Sequence, residues 1–266
     1  MKKLAVITAA YALFALIFSM TVFAGVSFGD ENASKGYITV EYDGSLDKKI
    51  IVTVTATGSK ETKYYYTIGN EPVNIPLNLG DEALYTISVA QNTVGKKYKV
   101  IAKKQFKVEV TSPEGRFLVA NPKVNYSSSM SCMKEYSKLL AKVNDKKAVV
   151  DAVYADMLKK IKYDKAKADN PPVNYEPNLE MIFKGKKGIC YDYASMFAAV
   201  LRSNGIPTKV CFGYAPEIRS LHAWNEVYLN GEWITVDVTY DAAYFNAGAS
   251  VSMKKDSSLF KVTDTY

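Results

Sequence analysis

The feature that most constrains this 266-residue chain is the dipeptide Asn230-Gly231. It sits between two alternating segments, His222-Ala223-Trp224-Asn225-Glu226-Val227-Tyr228-Leu229 and Glu232-Trp233-Ile234-Thr235-Val236-Asp237-Val238. Asn-Gly in such a setting is the strongest short-range signal for a two-residue hairpin turn, because both central residues must take positive φ. A turn this tight sets the register. Leu229 faces Glu232, Tyr228 faces Trp233, Trp224 faces Asp237 and His222 faces Thr239. Ala223, Val227, Leu229, Ile234, Val236 and Val238 then form an apolar face suited to a core. His222 and Asp237 share the opposite face as diagonal neighbours, with Cα atoms about 7–8 Å apart, close enough for an imidazole to meet a carboxylate.

A second segment, Lys187-Gly188-Ile189-Cys190-Tyr191-Asp192-Tyr193-Ala194, leads into a predicted amphipathic helix. Ala194, Phe197, Ala198 and Leu201 recur at helical spacing, and Gly205 and Pro207 end the helix. Cys190 falls at or just before the first turn, where unpaired amides and the positive end of the dipole favour an anion. A helix start and a neighbouring imidazolium lower a thiol pKa from about 8.5 to roughly 3.5–7.5, which makes a strong nucleophile.

A lone cysteine is ordinarily a small buried apolar residue, and a lone strand histidine a packing residue. The hairpin register turns both toward function. Cys190 is the expected nucleophile, His222 the base and Asp237 its orienting acid, in the Cys, His, Asp order of papain-type acyl transfer. Asp192 reads as helix-start electrostatics. Trp224 and Trp233, on the strand face of His222, read either as shields of the ion pair or as plain packing.

Three blocks in order resemble the transglutaminase-like superfamily core over roughly residues 146–245. They are Gly188-x-Cys190-x-Asp192-x-Ala194, Leu201-Arg202-x-x-Gly205-Ile206-Pro207, and His222-Ala223-Trp224-Asn225-Glu226-Val227 with Trp233-x-x-x-Asp237-x-Thr239. The resemblance implies a papain-like α+β fold, with the cysteine on a central helix packed against an antiparallel sheet that bears histidine and aspartate. It also implies a peptidase or amide-crosslinking enzyme of the bacterial exported type, acting on a peptide or protein through a thioester, with hydrolysis the expected outcome. A scaffold or binding module that has lost turnover is the alternative.

One departure stands out. Animal transglutaminases carry an upstream tryptophan that helps to stabilise the oxyanion, whereas both tryptophans here follow Cys190. The Cys190 amide supplies one oxyanion donor, and Tyr163 is either the second or a helix-end packing residue. No calcium-loop pattern is present, so no metal and no cofactor is expected.

The remainder of the chain divides by periodicity. Segments Ile38–Tyr42, Ile50–Thr57, Thr62–Ile68, Val73–Leu77, Leu84–Val89 and Lys97–Val110 have strand character, separated by glycine-containing turns. They predict an all-β sandwich of immunoglobulin-like or fibronectin-like architecture over residues 25–112. Residues 113–130, with Pro113, Gly115, Pro122 and three consecutive serines, read as a linker. Helices are predicted over Met133–Val143 and Lys146–Ile161 in a catalytic domain at 131–266.

Lys2, Lys3, the apolar run Leu4–Phe23 and Val22-Phe23-Ala24 read as a signal peptide cleaved before Gly25. The run is also long enough to be an uncleaved anchor. A secreted or cell-envelope location is expected either way, with the N-terminal segment as the only expected membrane contact. The formal charge of +7 falls to +5 when Lys2 and Lys3 leave with the signal. No lysine or arginine cluster is dense enough for nucleic acid, although a basic surface is weakly attracted to an anionic envelope. The three cysteines, Cys132, Cys190 and Cys211, form no CxxC pair and accompany a single histidine, which argues against structural zinc. Cys132 and Cys211 either pair or remain buried and reduced.

Overall fold

A computed structural model describes residues 25–59 and 64–266. The expected signal segment and the first residues of the Thr62–Ile68 strand lie outside the described residues. Seven strands come first: β1 (Val26–Gly29), β2 (Tyr37–Tyr42), β3 (Ile50–Ala56), β4 (Tyr64–Ile68), β5 (Val73–Pro76), β6 (Glu82–Asn92) and β7 (Tyr98–Glu109). They form two antiparallel sheets, ordered β1-β2-β5 and β4-β3-β6-β7. Alternation in the sequence becomes alternation in burial. Ile38 and Val40, Val52 and Val54, and Tyr85, Ile87 and Val89 all point into one hydrophobic cluster shared by both sheets. Phe28 of the first sheet meets Phe106 of the second edge-on, with centroids 6.3 Å apart. β1 has no counterpart among the expected strands, because four residues are too few for alternation to stand out.

Residues 113–130 are built into the structure on both sides. Arg116 and Phe117 are buried, and the Arg116 guanidinium donates to Leu77 O, Pro113 O and Asp81. The Lys123 carbonyl accepts from the Tyr191 hydroxyl at 3.0 Å.

The second half runs α1 (Ser131–Leu140), α2 (Lys146–Lys160), β8 (Lys162–Tyr163), α3 (Lys165–Asp169), α4 (Leu179–Gly185), β9 (Lys187–Gly188) and α5 (Cys190–Ser203). It continues with β10 (Thr208–Tyr214), β11 (His222–Leu229), β12 (Glu232–Val236), α6 (Val238–Asn246), β13 (Lys254–Lys255) and β14 (Lys261–Thr265). An antiparallel five-stranded sheet, β13-β12-β11-β10-β14, carries α5 across β10 and β11, with α2 packed on α5 and α6. The architecture is thus mixed α and β. The predicted apolar face of the hairpin, Ala223, Val227, Leu229, Ile234, Val236 and Val238, lies in the core with Phe197, Ala198 and Leu201 of α5.

The chain returns at its end to join the two halves. β14 pairs with β10, and the Tyr266 ring packs edge-on against Tyr64 at 5.4 Å and Phe212 at 5.8 Å. Buried Arg202 donates to three carbonyls at this junction, Thr208 O at 2.8 Å, Val119 O at 2.9 Å and Tyr266 O at 2.9 Å. A planar fork with five donors suits such a task. The family-like block around Leu201-Arg202 thus contains the residue that ties helix, connecting segment and last strand together.

Candidate active site

The hairpin register is the one its turn dictates. Asn225 pairs with Val236, Val227 with Ile234 and Leu229 with Glu232, and Asn230 and Gly231 take φ of 51° and 86°. The pairing carries His222, the first residue of β11, to the side of Asp237, one residue beyond β12. His222 Nε2 lies 2.7 Å from Asp237 Oδ2, and both side chains are buried. Asp237 has a second task that alternation alone does not disclose. Its Oδ1 accepts from Tyr240 N at 3.0 Å, so it caps α6 and is held by the helix start while it holds the imidazole. An aspartate followed by Val-Thr-Tyr is the available cap signal.

Cys190 is the first residue of α5. Cys190 is half-buried and close enough to His222 to act on its imidazole. With Nε2 engaged by Asp237, Nδ1 is the ring nitrogen left for sulfur. Burial alone would drive the imidazole toward its neutral form. The hydrogen bonds and negative charge of Asp237 and Cys190 outweigh burial and raise His222 from 6.5 to about 9. The three predicted side chains therefore come together from three different elements, as thiol, imidazole and carboxylate in sequence.

Asp192 occupies the third position of α5 and is fully buried. Its Oδ2 accepts from Ile189 N at 2.8 Å and from Lys167 Nζ at 2.6 Å, and its Oδ1 from the Tyr175 hydroxyl at 2.5 Å. It fastens the start of the cysteine helix, which agrees with a helix-start role. Gly188 makes this possible, since a Cβ there would lie 2.6 Å from the Asp192 Cβ. Lys167 and Tyr175 come from the long connection before α5, and no local pattern announces them.

The two tryptophans separate. Trp224 stacks on His222 with ring centroids 6.2 Å apart, and Phe260 packs against it at a tilt with centroids 5.1 Å apart. Trp233 lies at the turn end of the same face, against Phe117, Tyr228 and the Lys209 ammonium, too far along the strands to shield the ion pair. Of the two readings, contact with the ion pair holds for Trp224 and plain packing for Trp233.

Tyr163 sits on β8, which pairs in parallel with β9 so that Tyr163 lies opposite Gly188, two residues before Cys190. Burial first, and then electrostatic interaction with Cys190, raise its hydroxyl pKa. Behind Asp237, one helical turn along α6, buried Asp241 accepts from the Tyr154 hydroxyl at 2.7 Å and from Lys255 Nζ. Strand-like alternation running to Val238 hides α6 in the sequence, and Asp241 with it. Cys132 and Cys211 are buried free thiols on α1 and β10 and do not pair.

Residues 135–238 match the family model described as the transglutaminase-like superfamily. No curated protein shows significant similarity to the chain. Solved structures similar to it include one described as a TGase, at 22% identity and a TM-score of 0.34, over 41% of this chain and 30% of that one. A candidate cysteine protease from Cytophaga hutchinsonii aligns at 17% identity and a TM-score of 0.43, over 87% of this chain and 79% of that one. A candidate protease from Parabacteroides distasonis aligns at 12% identity and a TM-score of 0.36, over 71% of this chain and 37% of that one. The chain thus spans less than a third of the TGase and little more than a third of the Parabacteroides protein.

Proposed function

We propose, from the premise that residues 135–238 are transglutaminase-like, that this chain is a cysteine-dependent acyl-transfer enzyme acting on peptide or protein amide bonds. The observation that carries the reading is the buried His222–Asp237 contact of 2.7 Å beside a thiol at a helix start. In the proposed cycle His222 takes the Cys190 proton, and the sulfur attacks the amide carbonyl. The oxyanion accepts from the Cys190 amide, with Tyr163 as the candidate second donor. His222 then protonates the departing amine, leaving a thioester on Cys190. Asp237 orients the ring and stabilises its charged form. Water resolves the thioester in the hydrolytic reading, which we favour, and a lysine amine in the crosslinking one.

The N-terminal unit at 25–112, joined by 113–130 to the catalytic domain at 131–266, is read as an immunoglobulin-like sandwich. The sheet order supports this, as does Tyr85, whose hydroxyl accepts from Leu79 N at 2.8 Å and donates to Gly80 O at 2.6 Å in the manner of a tyrosine corner. Export through residues 1–24 to a secreted or envelope location belongs to the same reading.

The test is incubation of the chain with a mixed protein substrate, followed by mass spectrometry for new amino termini and for lysine isopeptides. New termini that vanish in Cys190→Ala support hydrolysis, and isopeptides that vanish support crosslinking. If Cys190→Ala retains every cellular role of the wild type and neither product forms, the chain is a scaffold.

A further inference from the structure

The N-terminal unit carries a surface that acyl transfer does not use. Between Glu82 and Glu109 there is no acidic residue, while six lysines occur there, Lys96, Lys97, Lys99, Lys103, Lys104 and Lys107. These residues form the β6–β7 hairpin, which pairs without interruption to Asn92 and Tyr98 except for a bulge at Val89/Ala90. Lys104 lies over the Phe106 ring at 4.8 Å. The other five make no ion pair with any described residue. The neighbouring loop adds Lys48 and Lys49, with Asp47 as the nearby acid, and is tied to the hairpin by Asn92 N donating to Lys49 O at 2.8 Å.

The end of this hairpin is also apolar. Val94 is 76% exposed, Val100 55% and Tyr98 37%. Tyr98 and Val100 are two residues apart and share a strand face, with Lys97 and Lys99 on the other, and Val94 stands at the tip. The tip is a built turn. Thr93 N donates to Lys97 O at 2.9 Å, Lys97 N to Val94 O at 3.0 Å and Asn92 Nδ2 to Gly95 O at 2.8 Å. β7 is the outer edge of its sheet, whereas the opposite edge, β4, is the one that meets Tyr266 of the catalytic half. The hairpin therefore projects away from the junction.

Edge strands are often studded with lysine to block pairing with other chains. That accounts for Lys103 and Lys107 but not for a valine–tyrosine ridge at the tip. A soluble polyanion would need the lysines alone. A bilayer surface uses both: ammonium groups at the level of anionic headgroups, a tyrosine in the interfacial belt and small apolar side chains just below it.

We propose that the β6–β7 hairpin is a docking surface for anionic phospholipid bilayers. It holds the enzyme at a membrane independently of residues 1–24 and of the acyl-transfer chemistry. The test uses the chain from Gly25, which contains both hydrophobic clusters and every contact described above, so that the N-terminal apolar run cannot partition for it. Sedimentation with phosphatidylglycerol–phosphatidylcholine vesicles should show binding that weakens with salt, and phosphatidylcholine vesicles should bind far less. Lys96→Gln/Lys97→Gln/Lys99→Gln should lower the affinity about 100-fold, at about fivefold for each lysine. Val94→Ser/Tyr98→Ser/Val100→Ser should lower it about tenfold with the charge intact. Circular dichroism and the alkylation rate of Cys190 should be unchanged in both variants. Equal binding to neutral vesicles, or no binding to either kind, overturns the proposal. So does an apolar variant that binds like the wild type and is competed off by soluble polyphosphate, which would mark a polyanion site.

Discussion

The two halves of the molecule bury different things. Among the described residues before Pro113, the buried side chains are aliphatic or aromatic, and nearly all of them form a single hydrophobic cluster between two sheets. The later half is just as well filled, yet its interior also holds Asp192, Arg202, His222, Asn225, Asp237 and Asp241. A buried charge is costly unless it is paired and hydrogen-bonded, so such groups persist where something requires them. Here each charged group has its partners: Asp192 has three, Arg202 three carbonyls, and Asp237 both an imidazole and a helix start. The contrast teaches that one interior is built for cohesion and the other for placing charge.

The contrast can be broken most forcefully at Asp237. Asp237→Asn keeps an oxygen to cap α6 but removes the charge that fixes the imidazole. Acyl-transfer turnover should fall about 10³–10⁴-fold while helix content by circular dichroism is retained. Retention of turnover would mean that the buried carboxylate serves packing alone.

Arg202→Ala should follow in size. Three carbonyls at the junction lose their donor, and urea unfolding should report a loss of about 3–5 kcal/mol. A smaller effect comes from pH. The folded His222 keeps its proton up to about 9, whereas an unfolded histidine releases it near 6.5. The native state thus binds the extra proton between those values. The stabilisation is complete below about pH 6.5 and is lost as pH rises through about 9, on the order of 3 kcal/mol, and it should be absent in His222→Ala. Smallest is Ile87→Val in the N-terminal hydrophobic cluster, expected to cost about 1 kcal/mol and to leave the pH dependence of Cys190 reactivity untouched. A changed pH profile there would show that the two interiors are coupled.

Local pattern made much of this legible. Period-two alternation located six of the seven early strands, and Asn230-Gly231 set the register that joins His222 to Asp237. Glycine followed by an amphipathic run put Cys190 at a helix start. What stayed hidden depends on residues distant in the chain. Lys167 reaches Asp192 from the short helix α3 and Tyr175 from the irregular connection after it, Tyr154 and Lys255 reach Asp241 from α2 and β13, and β14 returns to β10. The capping role of Asp237 was obscured because its segment continues the strand alternation up to Val238, so helix α6 begins inside a strand-like pattern. That Trp233 is plain packing while Trp224 stacks on His222 has a related cause. Shared face is a local property, but distance along the hairpin decides who touches the histidine.

The central claim is that Cys190, His222 and Asp237 act as one unit, and alkylation of Cys190 tests it most directly. Iodoacetamide labelling is followed by peptide mass spectrometry across pH. It should proceed at Cys190 well below about pH 8.5, where an ordinary thiol is protonated, while native Cys132 and Cys211 stay unlabelled. The low-pH component should disappear in His222→Ala. Cys190 labelling at the rate of a free thiol, with the same pH profile in wild type and His222→Ala, would contradict the account.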